Sequence, residues 1–444
     1  MNIYLESYGC SANQNNTEIM AGLLSRAGFG IVKNPAIADI AVLNTCIVKS
    51  PTEKRMERRI QELSKKFKFL VVAGCMPDVM QEKIKLLAPK ASLLGSHNIK
   101  DIVKVVKQLI EGKKSEIISQ RDEIKLCMPK VSQNKIIGIT QILEGCLGCC
   151  SFCITRLAKG KLFSYPQEQI IKSVEADLQS GCKEIWLTSQ DNAAYGLDFD
   201  NVNKRIGIGK DDKKAMSSLP FLLDKILSLP HRFFLRLGMM NPDNVLPICD
   251  KLIECYKNKK MYKFLHLPLQ SCSDKILKDM NRKYKVEDFT NIVNKFRKES
   301  PDITLSTDII VGYPTETDKD FAKTLDVIKK IRPDIINISR FWKREKTRAA
   351  LLKELPLKKV KKRVKELSEL SACIALEKNK RLVGKSYRCL VNKKGYADTL
   401  LARNENYKLI AIKATNLLGK FVNIKIADAK SHYLAGKIAN NKIK

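Results

Sequence analysis

Residues 141–160 read Gln141-Ile-Leu-Glu144-Gly-Cys146-Leu-Gly-Cys149-Cys150-Ser-Phe152-Cys153-Ile-Thr-Arg156-Leu-Ala-Lys159-Gly160, with four cysteines inside eight positions. Two overlapping spacings compete. Cys146, Cys150 and Cys153 form C-x3-C-x2-C, while Cys149, Cys150 and Cys153 form a tighter set. Three thiolates on a short glycine-bearing loop can hold three irons of a cubane 4Fe-4S cluster and leave the remaining iron open to a reactant. Phe152 would shield such a cluster from water, and Arg156 and Lys159 would offset its negative charge. Zinc is a competing reading, but it wants four ligands, and Cys149, being adjacent to Cys150, is badly placed for a common tetrahedron. A disulfide cluster is a third reading. On the iron-sulfur reading Cys149 is spare.

The rest of the composition favours the same chemistry. A chain of 444 residues that is 44% hydrophobic can bury a large core and is expected to divide into several domains. Fourteen cysteines accompany an opening, Met1 to Glu6, that reads directly as a strand and not as a secretory leader. No apolar run approaches the roughly 18 residues of a membrane span. Thiols in that setting point to a reducing cytoplasm and to metal or catalytic work. The formal charge of +34, from 81 basic against 47 acidic residues, points to a polyanionic partner, nucleic acid ahead of a membrane surface. Lys, Ile and Asn are abundant throughout, so a compositional bias supplies part of that charge.

The pattern strand, cysteine, helix occurs three times upstream of the loop. Met1 to Gly9 reads as a strand ending near Cys10, Ile40 to Thr45 ends at Cys46, and Phe69 to Gly74 ends at Cys75. Alternating strands and helices predict a parallel sheet whose strands all end on one edge, where Cys10, Cys46 and Cys75 converge despite separations of 36 and 29 residues. A buried core cysteine is the alternative for any one of them. Asn13 and Gln14 are candidate hydrogen-bonding partners of this upstream triad, with a helix N-cap the other reading of Asn13. Residues 1–115 thus form a first α/β domain, and 116–135, charged and without periodicity, a linker in which Cys127 is incidental.

From Ile136 a second α/β domain begins and runs to 378, with six strand and helix units, a partial (β/α)6 barrel open on one side. Strand ends offer Ser189, Arg236, Gln270 and Asp308 as cofactor or substrate contacts. His266 is a candidate base, hydrogen-bonding group or packing residue, and Met239 and Met240 read as soft packing near a cofactor. Thr317 with Asp320 forms a helix-capping pair. Residues 198–217 read as an exposed loop, and Leu355 to Lys380 as a long basic helix. Residues 379–444 break into short strands with Gly and Asn turns, a small antiparallel β-barrel of five strands that suits RNA, with protein docking as the alternative.

These motifs together resemble the radical S-adenosylmethionine methylthiotransferases. The likeness rests on Tyr8-Gly9-Cys10, Asn44-Thr45-Cys46, Ala73-Gly74-Cys75, the segment from Glu144 to Gly160, His266 to Ser271 and Thr307 to Gly312. It implies a C-terminal TRAM domain, S-adenosylmethionine, and two 4Fe-4S clusters, one on Cys146, Cys150 and Cys153 and an auxiliary one on Cys10, Cys46 and Cys75. The tips 189–196 and 236–242 are most similar to the archaeal and eukaryotic branch, which inserts a methylthio group at C2 of N6-threonylcarbamoyladenosine at position 37 of tRNA. Isopentenyladenosine in tRNA or an aspartate of a ribosomal protein are the substrates of other branches, and a non-catalytic iron-sulfur RNA-binding protein is the reading of another class. The resemblance also implies as partners the tRNA anticodon stem-loop, a low-potential electron donor such as a ferredoxin or flavodoxin, and a sulfur donor. A monomer away from membranes is expected. Residues 338–350, Ile-Ser-Arg340-Phe341-Trp342-Lys343-Arg344-Glu-Lys-Thr-Arg-Ala-Ala, depart from the family pattern by lacking its glycine and proline.

Overall fold

The computed structural model describes residues 1–48, 50–199 and 217–439; most of the loop expected over 198–217 lies outside them. The first sheet contains β1 (Asn2–Ser7), β2 (Gly30–Val32), β3 (Ile40–Thr45), β4 (Phe69–Gly74), β5 (Ser92–Gly95) and β6 (Glu116–Ile117), all parallel, in the order β2-β1-β3-β4-β5-β6. Every residue of β3 is buried, the mark of a parallel strand covered on both faces. Ala41 and Leu43 enter the core under helix Ser50–Lys66, while Ile40 and Val42 enter the one under helices Ser11–Arg26 and Ile102–Ile110. The chain turns in opposite directions from β1 and β3, which lie side by side. A crevice therefore opens beyond their C-terminal ends.

The first helix starts at Ser11, directly after Cys10, so Asn13 sits inside it and does not cap it. Residues 116–135 are a packed strap. Its first residues add β6 to the sheet edge, Lys125 is buried, and a Cβ on Gly22 would fall 2.1 Å from the Pro129 carbonyl oxygen.

Six further parallel strands follow: β7 (Ile137–Gln141), β10 (Glu184–Thr188), β11 (Phe234–Leu237), β12 (Phe264–His266), β13 (Thr304–Val311) and β14 (Ile335–Arg340), with a small ribbon of β8 (Leu143–Glu144) and β9 (Phe163–Ser164) beside the cysteine loop. They form two three-stranded halves, β7-β10-β11 and β12-β13-β14, joined by a bridge of Leu235 to Met261 and, beyond the strand ends, by the Met240 amide donating to the His266 carbonyl at 3.0 Å. The Lys260 carbonyl and Tyr262 amide take up both backbone groups of Leu235, and the ladder does not continue. The outer helices Gln167–Gln179, Leu219–Leu227, Cys249–Lys257, Val286–Glu299 and Asp318–Ile331 bury the largest core against these strands. The Thr317 and Asp320 capping box is present, the Thr317 hydroxyl accepting from the Asp320 amide at 3.2 Å.

Helix Leu357–Lys380 leads to a closed barrel of β15 (Ser386–Lys394), β16 (Thr399–Arg403), β17 (Leu409–Lys413), β18 (Phe421–Ala429) and β19 (Leu434–Ile438). Four ladders are antiparallel; closure by β17 with β19 is parallel, a departure from the wholly antiparallel expectation. This barrel seals the floor of the central one, at the N-terminal ends of its strands. Asn392 donates to Glu184 at 2.6 Å, the Lys263 amide to the Glu405 carbonyl at 2.8 Å, and Thr304 to the Asn406 carbonyl at 2.6 Å. Among the described residues no helix is long and apolar enough to cross a membrane.

Candidate active site

Both cysteine triads lie at the opposite, C-terminal end of the strands. Cys10, Cys46 and Cys75 follow the neighbouring strands β1, β3 and β4. Each of the two glycines that precede a cysteine of this triad has a left-handed backbone and no room for a side chain. At Gly9, φ is +116° and a Cβ would lie 3.0 Å from Cys46 Sγ; at Gly74, φ is +93° and a Cβ would lie 2.2 Å from the Asn44 side-chain oxygen. Asn13 ties the three loops together. Its Nδ2 donates to the Tyr8 carbonyl at 3.0 Å and the Thr45 carbonyl at 2.8 Å, and its Oδ1 faces the Cys75 thiol at 3.7 Å. Asn44 locks the other side, donating to the Asn13 carbonyl at 2.8 Å.

The 146–153 loop is held by one bond of its own and by groups that arrive from elsewhere. The Gly148 amide donates to Cys146 Sγ at 3.2 Å. Arg282 donates to Cys150 Sγ at 3.1 Å while bonded to Asn241 and to the Tyr284 hydroxyl. The Ser151 amide donates to the Met280 carbonyl at 3.0 Å, and the Ala349 amide to the Ser151 carbonyl at 2.9 Å. Phe152 is half-buried in an apolar cluster with Ile276, Met280, Tyr313, Phe341 and Ala349. Cys149 is exposed, turned toward Arg156 at 3.2 Å. Arg282 lies in a turn beyond a helix, and no local pattern in the sequence marks it.

Between the triads lies a buried ionic group. Glu144 accepts from Lys125 at 2.5 Å and Lys159 at 2.8 Å, all three nearly inaccessible. Burial opposes the charge on Glu144, but the two ammonium groups outweigh it and hold the carboxyl well below the usual range. Burial likewise opposes the charge on Lys159, and Glu144 followed by the Cys75 sulfur outweighs it, keeping the ammonium charged. Helix Thr155–Lys159, which follows Cys153, packs on helix Cys75–Val79, with Ile154, Ala158, Cys75 and Met76 in one core. The Ser11 hydroxyl meets the Thr188 hydroxyl at 2.7 Å, a second tie between the domains.

The remaining candidates separate. Asp308 holds the centre of the barrel, accepting from Asn337 at 2.7 Å and facing His266 Nε2 at 3.2 Å, so His266 is a hydrogen-bonded partner within a cluster. Gln270 has φ of +72° and bridges β13 through its backbone, its amide donating to the Asp308 carbonyl at 2.7 Å. Ser189 accepts the Asp191 amide at 3.1 Å at the tip of β10. Asp191 is buried next to the loop, which pushes its carboxyl up to about 6 against the bonds from Asn241 and Asn244. Arg236 turns toward the C-terminal barrel. It lies at 5.0 Å from the Trp186 ring, 5.2 Å from Phe264 and 5.4 Å from Tyr407, toward the floor sealed by the C-terminal barrel. The reason is strand alternation: Leu235 and Leu237 take the core face, which turns Arg236 to the inside with Trp186, its neighbour in register. The main-chain oxygen of Met239 accepts from Asn192, and Met240 is buried.

The donor sets suit iron-sulfur groups. All six cysteines are free, and a backbone amide and a guanidinium already point at sulfurs of the second triad. Burial pushes the Cys146 thiol up to about 12 and raises Cys46, Cys75 and Cys153, so bound metal would have to displace their protons. Among the described residues no three or more Cys, His, Asp or Glu close on a single ion. A multi-iron group spaces its thiolates more widely than one ion does.

Family models match three stretches: Uncharacterized protein family UPF0004 at 2–95, the Radical SAM superfamily at 140–328 and the TRAM domain at 380–439. Among solved structures, the radical S-adenosylmethionine methyltransferase TsrM from Kitasatospora setae shares the fold, with a TM-score of 0.53 at 12% identity over 76% of this chain and 72% of that one. The cobalamin-dependent S-adenosylmethionine radical enzyme OxsB also gives 0.53, at 11% identity over 83% and 56%. Among curated relatives, the probable threonylcarbamoyladenosine tRNA methylthiotransferase of Pyrococcus horikoshii is 40% identical over 92% of this chain and 93% of its own. The human threonylcarbamoyladenosine tRNA methylthiotransferase is 33% identical over 95% of this chain and 71% of its own. With that identity along nearly its whole length, the chain belongs to the threonylcarbamoyladenosine tRNA methylthiotransferases, a family of radical S-adenosylmethionine enzymes.

Proposed function

We propose that this chain inserts a methylthio group at C2 of N6-threonylcarbamoyladenosine at position 37 of tRNA. The observation that carries the reading is the pairing of two cysteine triads at one end of the barrel in a chain 40% identical to such a relative. C2 of adenine offers neither an acidic proton nor a leaving group, so the hydrogen there has to be removed by radical chemistry that a cofactor supplies. Cys146, Cys150 and Cys153 would hold a 4Fe-4S cluster with one iron left for S-adenosylmethionine, and Cys10, Cys46 and Cys75 an auxiliary cluster for the sulfur. Together with S-adenosylmethionine, these groups supply the one-electron cleavage, the methyl group and the sulfur.

The chain's own residues do the positioning. Arg282 offsets charge on the second triad, the Gly148 amide donates to its first sulfur, and Phe152 with its apolar cluster keeps water from its underside. Asn13 fixes the mutual spacing of the first triad, and the Lys125, Glu144 and Lys159 group fixes one triad against the other. Ser189, Gln270 and Asp308 line the approach to the triads; Arg236 instead couples the barrel to the C-terminal domain. In this reading 1–115 carries the sulfur, 116–135 straps it to the radical domain 136–378, and 379–444 grips RNA. The protein works as a cytoplasmic monomer supplied by a low-potential electron donor and a sulfur donor.

The test is nucleoside mass spectrometry after incubating reconstituted protein with reductant, S-adenosylmethionine and tRNA, with and without prior threonylcarbamoylation. The methylthio mark is expected only on threonylcarbamoylated tRNA. Its appearance on isopentenyladenosine or on a ribosomal protein moves the chain to another branch, and intact clusters without 5′-deoxyadenosine make it a binding protein. Affinity for tRNA is expected to fall steeply as salt is raised, because phosphate contacts release counterions.

A further inference from the structure

The segment that leaves β14 runs between the two triads. Phe341 turns inward onto Phe152 and the Ser151 loop, and Arg344, buried, pairs with Glu53 of helix Ser50–Lys66 close to Cys46. Trp342, between them, faces a cleft of about 380 Å³ lined by Lys54, Arg340, Trp342, Lys343, Leu357 and Val360, among others. The Arg340 guanidinium carbon lies 3.4 Å from the centre of the Trp342 ring, over its face, and both side chains are partly exposed. Three cations line the cleft against one carboxylate, Glu354. Lys358, Lys361 and Lys362 are exposed on the adjoining turns of helix Leu357–Lys380.

The C-terminal barrel sits at the other end of the strands, about 15–25 Å away along strands of five to eight residues. Cations on the cleft lie nearer to nucleotides that adjoin a base held at the triads. A splayed single-stranded base is recognised by stacking on an aromatic or guanidinium plane, with cations on the flanking phosphates. We propose that the Arg340 and Trp342 pair is a stacking platform for a nucleotide adjoining the target base in the anticodon loop, with Lys54 and Lys343 on its phosphates. The inference rests on tRNA being the substrate and names where its loop docks.

The test uses full-length holoprotein and a fluorescein-labelled, threonylcarbamoylated anticodon stem-loop. Trp342→Ala and Arg340→Ala are each expected to weaken its Kd about tenfold and raise KM more than they lower kcat, with iron content unchanged; Trp342→Phe restores most of the affinity. The chain has two tryptophans, Trp186 and Trp342. In a Trp186→Phe background the remaining emission is expected to change on adding stem-loop. Wild-type Kd in both alanine variants, or an unaltered Trp342 signal while the stem-loop demonstrably binds and is modified, overturns the platform and leaves the tRNA reading standing. A wild-type protein that neither binds nor modifies the stem-loop overturns both.

Discussion

The two cysteine triads are built in opposite ways. Cys146, Cys150 and Cys153 are neighbours in sequence on one loop, whereas Cys10, Cys46 and Cys75 are brought together by three adjacent parallel strands. The local triad takes its supports from afar, from Arg282, the Met280 carbonyl and Ala349. The assembled triad takes its support from Asn13, three residues beyond its first cysteine. A short loop needs outside contacts to hold one shape. Strand ends already fixed by a sheet need only side chains from the strands and helix next to them, here Asn13 and Asn44.

The sharpest way to break the comparison is by function. Alanine at Cys146, Cys150 or Cys153 is expected to abolish both 5′-deoxyadenosine and methylthio product, whereas alanine at Cys10, Cys46 or Cys75 abolishes only the product; liquid chromatography with mass spectrometry reads both. Cys149→Ala is expected to leave both intact, and a loss there would revise the ligand set. Next in size, Glu144→Gln removes the carboxylate shared by two buried lysines and is expected to cost about 3–5 kcal/mol, read as a lower urea midpoint. Asn13→Ala deletes bonds to two loops, so a loss of about 1–3 kcal/mol is expected, with iron lost first from the assembled triad in Mössbauer spectra. The smallest effect belongs to Arg282→Leu. Loss of a donor to Cys150 is expected to lower the reduction potential of the group on the local triad and leave the assembled one unchanged in a redox titration followed by electron paramagnetic resonance.

Strands β3 and β4 were legible because a doubly covered parallel strand is a nearly continuous apolar run, here followed at once by a cysteine; β1, in which only Ile3 is buried, was legible as a short strand ending in a turn before Cys10. The barrel strands were legible as short apolar or alternating segments that end in polar, turn-rich tips, and the Thr317 cap from its local pattern. What could not be read was side-chain direction in short strands. Arg236 looked like a strand-end residue, yet alternation and the Tyr407 ring place it on the floor. Long-range partners were equally hidden: Lys125 lies in a stretch with no periodicity, and only the folded chain brings it to Glu144. The strap over 116–135 looked like a linker because polar, irregular backbone can be packed without leaving a hydrophobic pattern.

The seam between the two barrels bears on how modular this protein is. Glu184 accepts from Trp186, Tyr262 and Asn392, while Phe234 and Tyr262 stack at 4.5 Å against a surface completed by Tyr407 and Phe421. Cutting the chain after the long helix would leave a carboxylate and a set of aromatic rings facing water, so a truncated radical domain would carry a sticky, partly unsatisfied base. A graft exchanging the C-terminal module between relatives would therefore have to carry Glu184, Tyr262 and Phe234 with it, and the natural unit of exchange is the seam itself.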